Sequence, residues 1–97
     1  MSLRQGLGLA LRSIRRARRL TQEDFTVVSS RTFVSSLERS QKSATLDKLE
    51  ELSNVLNVHP LTLITLTCML GESRELPDLQ GQVLHEIAEI TTLLREH

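Results

Sequence analysis

Apolar residues recur at intervals of three and four along most of the chain, and this spacing constrains the fold more than any other feature. It is the repeat of a helix that buries one side, because a helix turns once in about 3.6 residues. No segment shows the strict alternation of apolar and polar residues that marks a half-buried strand. The sequence therefore predicts an all-α protein.

Helix-start signals and helix breakers divide this periodic sequence into six predicted helices. Thr21, Ser30 and Thr45 have hydroxyl groups that can accept a hydrogen bond at a helix N-terminus. The polar segment 72–80 contains Pro77 and is predicted to be a linker. The predicted helices are 4–18, 21–28, 30–39, 45–57, 60–70 and 79–95.

The composition allows one domain with a modest core. The chain has 97 residues, of which 39% are hydrophobic, and only Phe25 and Phe33 are aromatic. The core must therefore be built mostly from leucine, isoleucine and valine. A chain of this size often adds an oligomer interface to its own core for stability.

The net charge is zero, but the charges are unevenly distributed. Residues 1–48 carry ten basic and four acidic side chains, a net charge of +6. Residues 49–97 carry two basic and eight acidic side chains, a net charge of −6. This asymmetry suggests that the first half faces a polyanion such as a nucleic acid. The alternative is that the charges are solvated helix faces.

The single cysteine, Cys68, excludes an internal disulfide and fits a reducing cytoplasm. It lies in the apolar run 61–70, so we expect a buried small hydrophobic residue rather than a redox sensor. This run is too short to span a bilayer, and we see no signal peptide. The expected location is the cytoplasm, with no membrane partner.

The second and third predicted helices are short and are joined by a tight turn. In the helix-turn-helix architecture, the second helix of such a pair enters the major groove of DNA by its N-terminal end. Arg31 suits the O6 and N7 acceptors of guanine, and Thr32 can hydrogen-bond or meet a thymine methyl group. Ser35 and Ser36, one turn further on, are small enough for close approach.

Four short motifs along the chain match one pattern: LTQEDF at 20–25, SRTFVSSLER at 30–39, KSATLDKL at 42–49 and VHP at 58–60. This pattern resembles the phage-repressor-type helix-turn-helix family (XRE, Cro/CI-like), and the resemblance covers about residues 7–66. It implies a five-helix lambda-repressor-like DNA-binding fold, here with an additional C-terminal helix. The family usually acts as a dimer on a palindromic operator.

Carried over by position, the resemblance assigns roles to nine residues. Contacts to base edges are implied for Arg31, Thr32, Ser35 and Ser36. Contacts to DNA phosphates are implied for Gln22, Arg39 and Lys42. A structural salt bridge between the first and third helices is implied for Arg15 and Glu38, so Arg15 is not expected to contact DNA.

The sequence departs from the family pattern in three places. The turn between Phe25 and Ser30 is about two residues shorter than usual and lacks its glycine, which bears on the angle between the two helices. Ser40 stands where glycine is common, and Ala44 stands where proline is common. Both of these changes alter the loop near the phosphates without removing a DNA contact.

The last predicted helix lies outside the resemblance and has a narrow apolar stripe. Its members are Leu79, Val83, Ile87, Ile90 and Leu94. The stripe could pack back onto its own domain or pair across a two-fold axis, and we favour the dimer. The expected division is a DNA-binding domain at 1–71 and a linker with a dimerisation helix at 72–97. Such a dimer would set two recognition helices ~34 Å apart.

The predicted function is that of a sequence-specific transcription regulator, most simply a repressor, because no activation or ligand domain is visible. Its expected partners are double-stranded DNA and a second copy of the chain. The alternative is a protein-interaction module, such as an antitoxin or an adaptor, that uses this fold. An enzyme is not expected, because His59, His85 and His97 are scattered, without a second ligand at metal spacing. No metal, cofactor or small-molecule ligand is implied.

Overall fold

The computed structural model describes residues 1–96 and contains five α-helices and one short 3₁₀ helix, with no strand among these residues. The all-α prediction is confirmed. The elements are α1 (Leu3–Ala17), the 3₁₀ helix (Gln22–Phe25), α2 (Arg31–Glu38), α3 (Leu46–Leu56), α4 (Pro60–Glu72) and α5 (Leu76–Arg95). His97, one of the three scattered histidines, lies outside the described residues.

Ser30 and Thr45 cap their helices as predicted, whereas the Thr21 hydroxyl accepts no cap hydrogen bond and instead donates to Asp24 Oδ2 at 3.1 Å. The Ser30 hydroxyl accepts a hydrogen bond from the backbone N–H of Phe33 at 3.1 Å, which starts α2. The Thr45 hydroxyl accepts one from the N–H of Lys48 at 3.1 Å, which starts α3. Each cap satisfies a backbone donor that has no partner inside its helix.

The predicted helix at 21–28 is wrong in its extent and type. Only Gln22–Phe25 is helical, as a single 3₁₀ turn. The carbonyl of Phe25 then accepts hydrogen bonds from the N–H groups of Val28, at 3.0 Å, and Ser29, at 2.9 Å. These bonds close a compact turn, so the chain reverses directly into the cap of α2 instead of completing a second helical turn.

The predicted linker at 72–80 is also wrong, because only residues 73–75 separate α4 from α5. Ser73 has a left-handed backbone, with φ 54°, which ends α4. Pro77 lies in the first turn of α5, where a missing N–H costs nothing and its fixed φ favours a helix. The proline therefore helps to start the last helix.

The core is formed by apolar side chains of α1 to α4 and the 3₁₀ helix, and Leu11 of α1 is fully buried within it. The other buried members are Leu7, Ala10, Phe25, Val34, Leu37, Leu52, Leu56 and Leu63. The single buried residue of the 3₁₀ helix, Phe25, anchors this short element to the core.

Two glycines of α1 allow two other elements to approach its backbone. A Cβ atom on Gly6 would lie 2.3 Å from the carbonyl oxygen of Thr67 in α4. A Cβ atom on Gly8 would lie 2.7 Å from the carbonyl oxygen of Leu37 in α2. Positions two residues apart on a helix point in nearly opposite directions. Therefore α4 and α2 pack on opposite sides of α1.

The last helix, α5, is largely uncovered. Leu79 is its only buried residue, and Thr91 is half-buried. Among residues 1–96, no single helix is both long and apolar enough to cross a bilayer. Only α3 and α4 taken together have the length and composition for that, and they are bent by 104° at the break between them.

Candidate nucleic-acid interface

The first turn of α2 presents polar side chains to solvent from a firmly anchored helix. Arg31 and Thr32 are exposed, whereas Val34 and Leu37 are fully buried. Ser35 is half-buried one turn further on. The N-terminal end of α2 therefore has donors on the outside and a rigid apolar attachment on the inside.

The structure contradicts the expectation that Ser36 faces base edges, because this residue is only 8% exposed. It lies in the last turn of α2 beside the buried Leu37 and Glu38, and not on the exposed side of the helix. The helix ends just after it. The N–H of Gln41 donates to the carbonyl of Ser36 at 2.9 Å, and the N–H of Ser40 donates to the carbonyl of Leu37 at 3.0 Å. These two bonds form a Schellman motif with Ser40 in the left-handed region, at φ 62°.

A buried carboxylate joins the three elements that build this surface. Glu38, whose side chain is 2% exposed, accepts hydrogen bonds from Arg15 Nε at 2.6 Å and from Arg15 Nη2 at 2.9 Å. Arg15 also donates from Nη1 to the carbonyl of Leu20 at 3.0 Å. The hydrogen bond to Glu38 raises the pKa of the Arg15 guanidinium. The structure thus brings the expected pair together as a two-pronged ion pair between α1 and α2.

Gln22 contacts the same carboxylate. Its Nε2 atom donates to Glu38 Oε1 at 3.2 Å, and the side chain is half-buried. An amide nitrogen carries two donors, so one N–H remains for a DNA phosphate. Gln22 therefore ties the 3₁₀ helix to α2, a role that the sequence did not predict.

The base-reading candidate Arg31 has a partner that sequence reasoning missed. Its Nη1 atom donates to Glu23 Oε1 at 3.1 Å, and the two side chains are 66% and 70% exposed. Ion pairs this exposed contribute roughly 0–1 kcal/mol, so an incoming guanine can displace the carboxylate. The eight-residue separation matches no short-range pairing rule, so only the fold could show this contact.

The remaining phosphate candidates lie at the other end of α2. Arg39 and Lys42 are both exposed. Arg39 Nε donates to the carbonyl of Ser35 at 3.3 Å, which leaves its terminal nitrogens toward solvent. A DNA backbone that passes this end of α2 would meet two exposed cationic side chains, Arg39 and Lys42.

Lys48 of α3 supports the short turn before α2. Its ammonium group donates to the carbonyl of Val28 and to the Glu51 carboxylate, the latter at 2.7 Å. The half-buried lysine thus fills the space beneath a turn that is shorter than the family pattern. The position of Lys48 in an amphipathic helix did not predict this role.

The apolar stripe of α5 is divided between two environments. Leu79 is 8% exposed and packs on its own chain, which corrects the expectation that it belongs wholly to a dimer interface. The rest of the stripe is open: Val83 is 40% exposed, Ile87 and Ile90 are each 56% exposed, and Leu94 is 70% exposed.

Within residues 1–96, no group of three histidine, cysteine or acidic residues could hold a metal ion. His59 has a structural role instead, because its Nδ1 atom accepts a hydrogen bond from the N–H of Leu61 at 2.9 Å and caps α4. The single cysteine, Cys68, is half-buried and free.

Comparison with known families agrees with this geometry. The helix-turn-helix family model HTH_3 matches residues 11–63, more than half of the chain. The chain therefore belongs to this family, of XRE type. Membership implies DNA binding and a place among transcription regulators. No curated protein and no solved structure matches the chain significantly.

Proposed function

We propose that this chain is a sequence-specific transcription repressor that binds a palindromic operator as a homodimer. The observation that carries the proposal is the exposed first turn of α2, with Arg31 and Thr32 on a helix anchored by Val34, Leu37 and Glu38. A rigid helix end with exposed donors is what base-edge recognition in the major groove needs.

Contacts to the DNA backbone would fix the register of α2 in the groove. Gln22 lies at the start of the 3₁₀ helix, whereas Arg39 and Lys42 lie at the far end of α2. These three side chains flank the reading surface, so they can reach phosphates on both sides of one groove. Because such contacts release counterions, the affinity should fall steeply as salt is raised.

The homodimer would use the exposed part of the α5 stripe, from Val83 to Leu94. Burial of a leucine or isoleucine side chain contributes about 1.5–3 kcal/mol, so a row of half-exposed side chains can drive association. Two copies related by a two-fold axis would present two equal recognition helices, which a palindromic site matches.

Repression is the simplest regulatory outcome for this surface. A protein that occupies an operator tightly can exclude the transcription machinery without further contacts. The described residues offer such a binding surface.

Selection of bound DNA from a random pool tests the proposal. We expect an enriched site made of two inverted half-sites, with guanine at the position that Arg31 reads. Recovery of unrelated sequences would contradict sequence-specific binding. It would favour the alternative of a protein-interaction module such as an antitoxin or an adaptor.

A further inference from the structure

An apolar groove of about 280 Å³ runs between α4 and the first half of α5. Its walls include Leu61, Ile64, Cys68, Leu79, Val83 and Ile87. This groove lies outside the surface assigned to DNA, and the residues of α4 that line it belong to neither the recognition surface nor the α5 stripe.

The sequence of α4 indicates that this groove is normally covered. No charged residue occurs from Pro60 to Gly71, and apolar side chains occur on all sides of the helix. A helix with this composition is normally enclosed on all sides. Yet only Leu63, Thr67 and Gly71 are buried, and Leu61 is 60% exposed.

We propose that the groove of each copy holds the second half of α5, residues 87–94, from a second copy of this chain. This inference rests on the homodimer proposed above and specifies how that dimer is built. The first half of α5 forms one wall of the groove in its own chain, and Leu79 is buried there. The second half continues with Ile87, Ile90 and Leu94 exposed, and none of residues 1–96 buries them.

The apolar area that α4 and α5 expose is similar in size to one side of a dimer interface. Eight large apolar side chains of α4 and α5 are between 40% and 70% exposed: Leu61, Leu76, Val83, Leu84, Ile87, Ile90, Leu93 and Leu94. Leu84 and Leu93 point in opposite directions on α5, so they cannot both face one partner. The other six expose on the order of 600 Å² in each copy, which is one partner's share of an interface of about 1,200 Å², the lower end of the range for specific complexes.

An antiparallel arrangement of the two α5 helices covers both apolar surfaces, the groove and the exposed second half of α5. Each copy has one groove and one uncovered half-helix, so a two-fold axis near Ile87 fills both grooves. The stripe then places Leu94 of the second copy against the groove wall near Leu79 and pairs Val83 with Ile90 of the second copy. A parallel arrangement would place groove against groove and leave both unfilled.

This dimer leaves the DNA-reading helix free. The groove belongs to α4, which packs on α1 at Gly6. The end of α2 packs on the opposite side of α1, at Gly8. Two copies joined through their grooves can therefore still present both α2 helices to DNA.

The sole cysteine of the chain, Cys68, makes this arrangement testable, because it lines the groove. In an Ile90→Cys variant, the new thiol of one copy would lie beside Val83 of the other copy, close to Cys68. The matched control is Thr92→Cys, which lies on the other side of the same helix. Both positions are exposed, so the fold should tolerate either change, and circular dichroism verifies this.

After mild oxidation, a non-reducing gel shows whether a covalent dimer forms, and peptide mapping shows which cysteines are joined. We expect Ile90→Cys to form a covalent dimer through a disulfide between Cys68 and position 90 of the other copy. Thr92→Cys and the double variant Cys68→Ser/Ile90→Cys should not form this bond.

Sedimentation and band shifts of the wild-type chain separate the possible failures. A dimer without the link to Cys68 would overturn the groove arrangement and leave the homodimer standing. A chain that stays monomeric at micromolar concentration would overturn both. Cross-linking by a chain that binds DNA without sequence preference would support the groove and contradict only the proposed operator binding.

Discussion

Replacing Glu38 by alanine should lower the melting temperature of the protein considerably. The carboxylate is 2% exposed and accepts two hydrogen bonds from Arg15, whose side chain is 13% exposed. Loss of one partner leaves the other charge buried and uncompensated, which costs about 3–5 kcal/mol. In a domain of this size each kcal/mol lowers the melting temperature by about 4–8 °C, so we expect a drop of at least ~12 °C.

The matched control is Glu23→Ala, which also removes a glutamate from an ion pair with arginine. The Glu23–Arg31 pair is about two-thirds exposed, so its loss should cost no more than about 1 kcal/mol. Thermal unfolding followed by circular dichroism at one fixed protein concentration compares the two variants, because dimerisation makes the melting temperature depend on concentration.

A second variant shows whether the cost comes from an unpaired charge. In Arg15→Met/Glu38→Leu both charges are replaced by apolar side chains of similar size, so most of the lost stability should return. If Glu38→Ala melts within about 2 °C of the wild type, or no lower than Glu23→Ala, then Glu38 does not hold together the elements that build this surface.

Two substitutions and one labelling experiment test other parts of the structure. Ser40→Gly should raise the free energy of unfolding by about 0.5–1 kcal/mol in urea titrations, because Ser40 has φ 62° and glycine carries no penalty there. Unchanged stability would mean that this residue is not strained. Gly6→Ala should be destabilising by more than 1 kcal/mol in the same assay, since its Cβ atom would lie 2.3 Å from the Thr67 carbonyl; a stabilised variant would contradict this close packing. Burial and the neighbouring Glu72 raise the pKa of the Cys68 thiol, so iodoacetamide at pH 8 should modify it more slowly than free cysteine. An equal rate would show that this thiol is freely accessible.

Long periodic segments allowed most of the helices to be predicted from the sequence. The apolar spacing of α1 and the caps Ser30 and Thr45 set helix positions within a few residues, because these signals are local. The 3₁₀ helix and the turn after Phe25 could not be predicted in this way. A single 3₁₀ turn has too few residues for a period to appear, and the turn that follows it also binds Lys48 of α3, which is 20 residues away from Val28 in the sequence.

The errors at Pro77 and Ser36 have physical reasons of the same kind. Proline breaks a helix interior but suits a first turn, and only the three-dimensional structure decides between these roles. Ser36 has the spacing of an exposed residue, yet the folded chain leaves it only 8% exposed beside the buried Leu37 and Glu38. The contact between Glu23 and Arg31 joins two elements whose relative position no local signal defines.

The central claim is that the exposed first turn of α2 reads DNA sequence, and one ratio tests it most directly. This ratio is the Kd for scrambled DNA divided by the Kd for the selected operator, measured by band shift at one salt concentration. For Arg31→Ala we expect the ratio to fall by roughly fivefold to 150-fold per half-site, since a bidentate contact to guanine discriminates by about 1–3 kcal/mol. The matched control Arg95→Ala removes the same charge from α5 and should leave the ratio within about twofold, since its charge acts only through sequence-independent attraction to DNA. An unchanged ratio for Arg31→Ala, or an equal loss for Arg95→Ala, would contradict the claim.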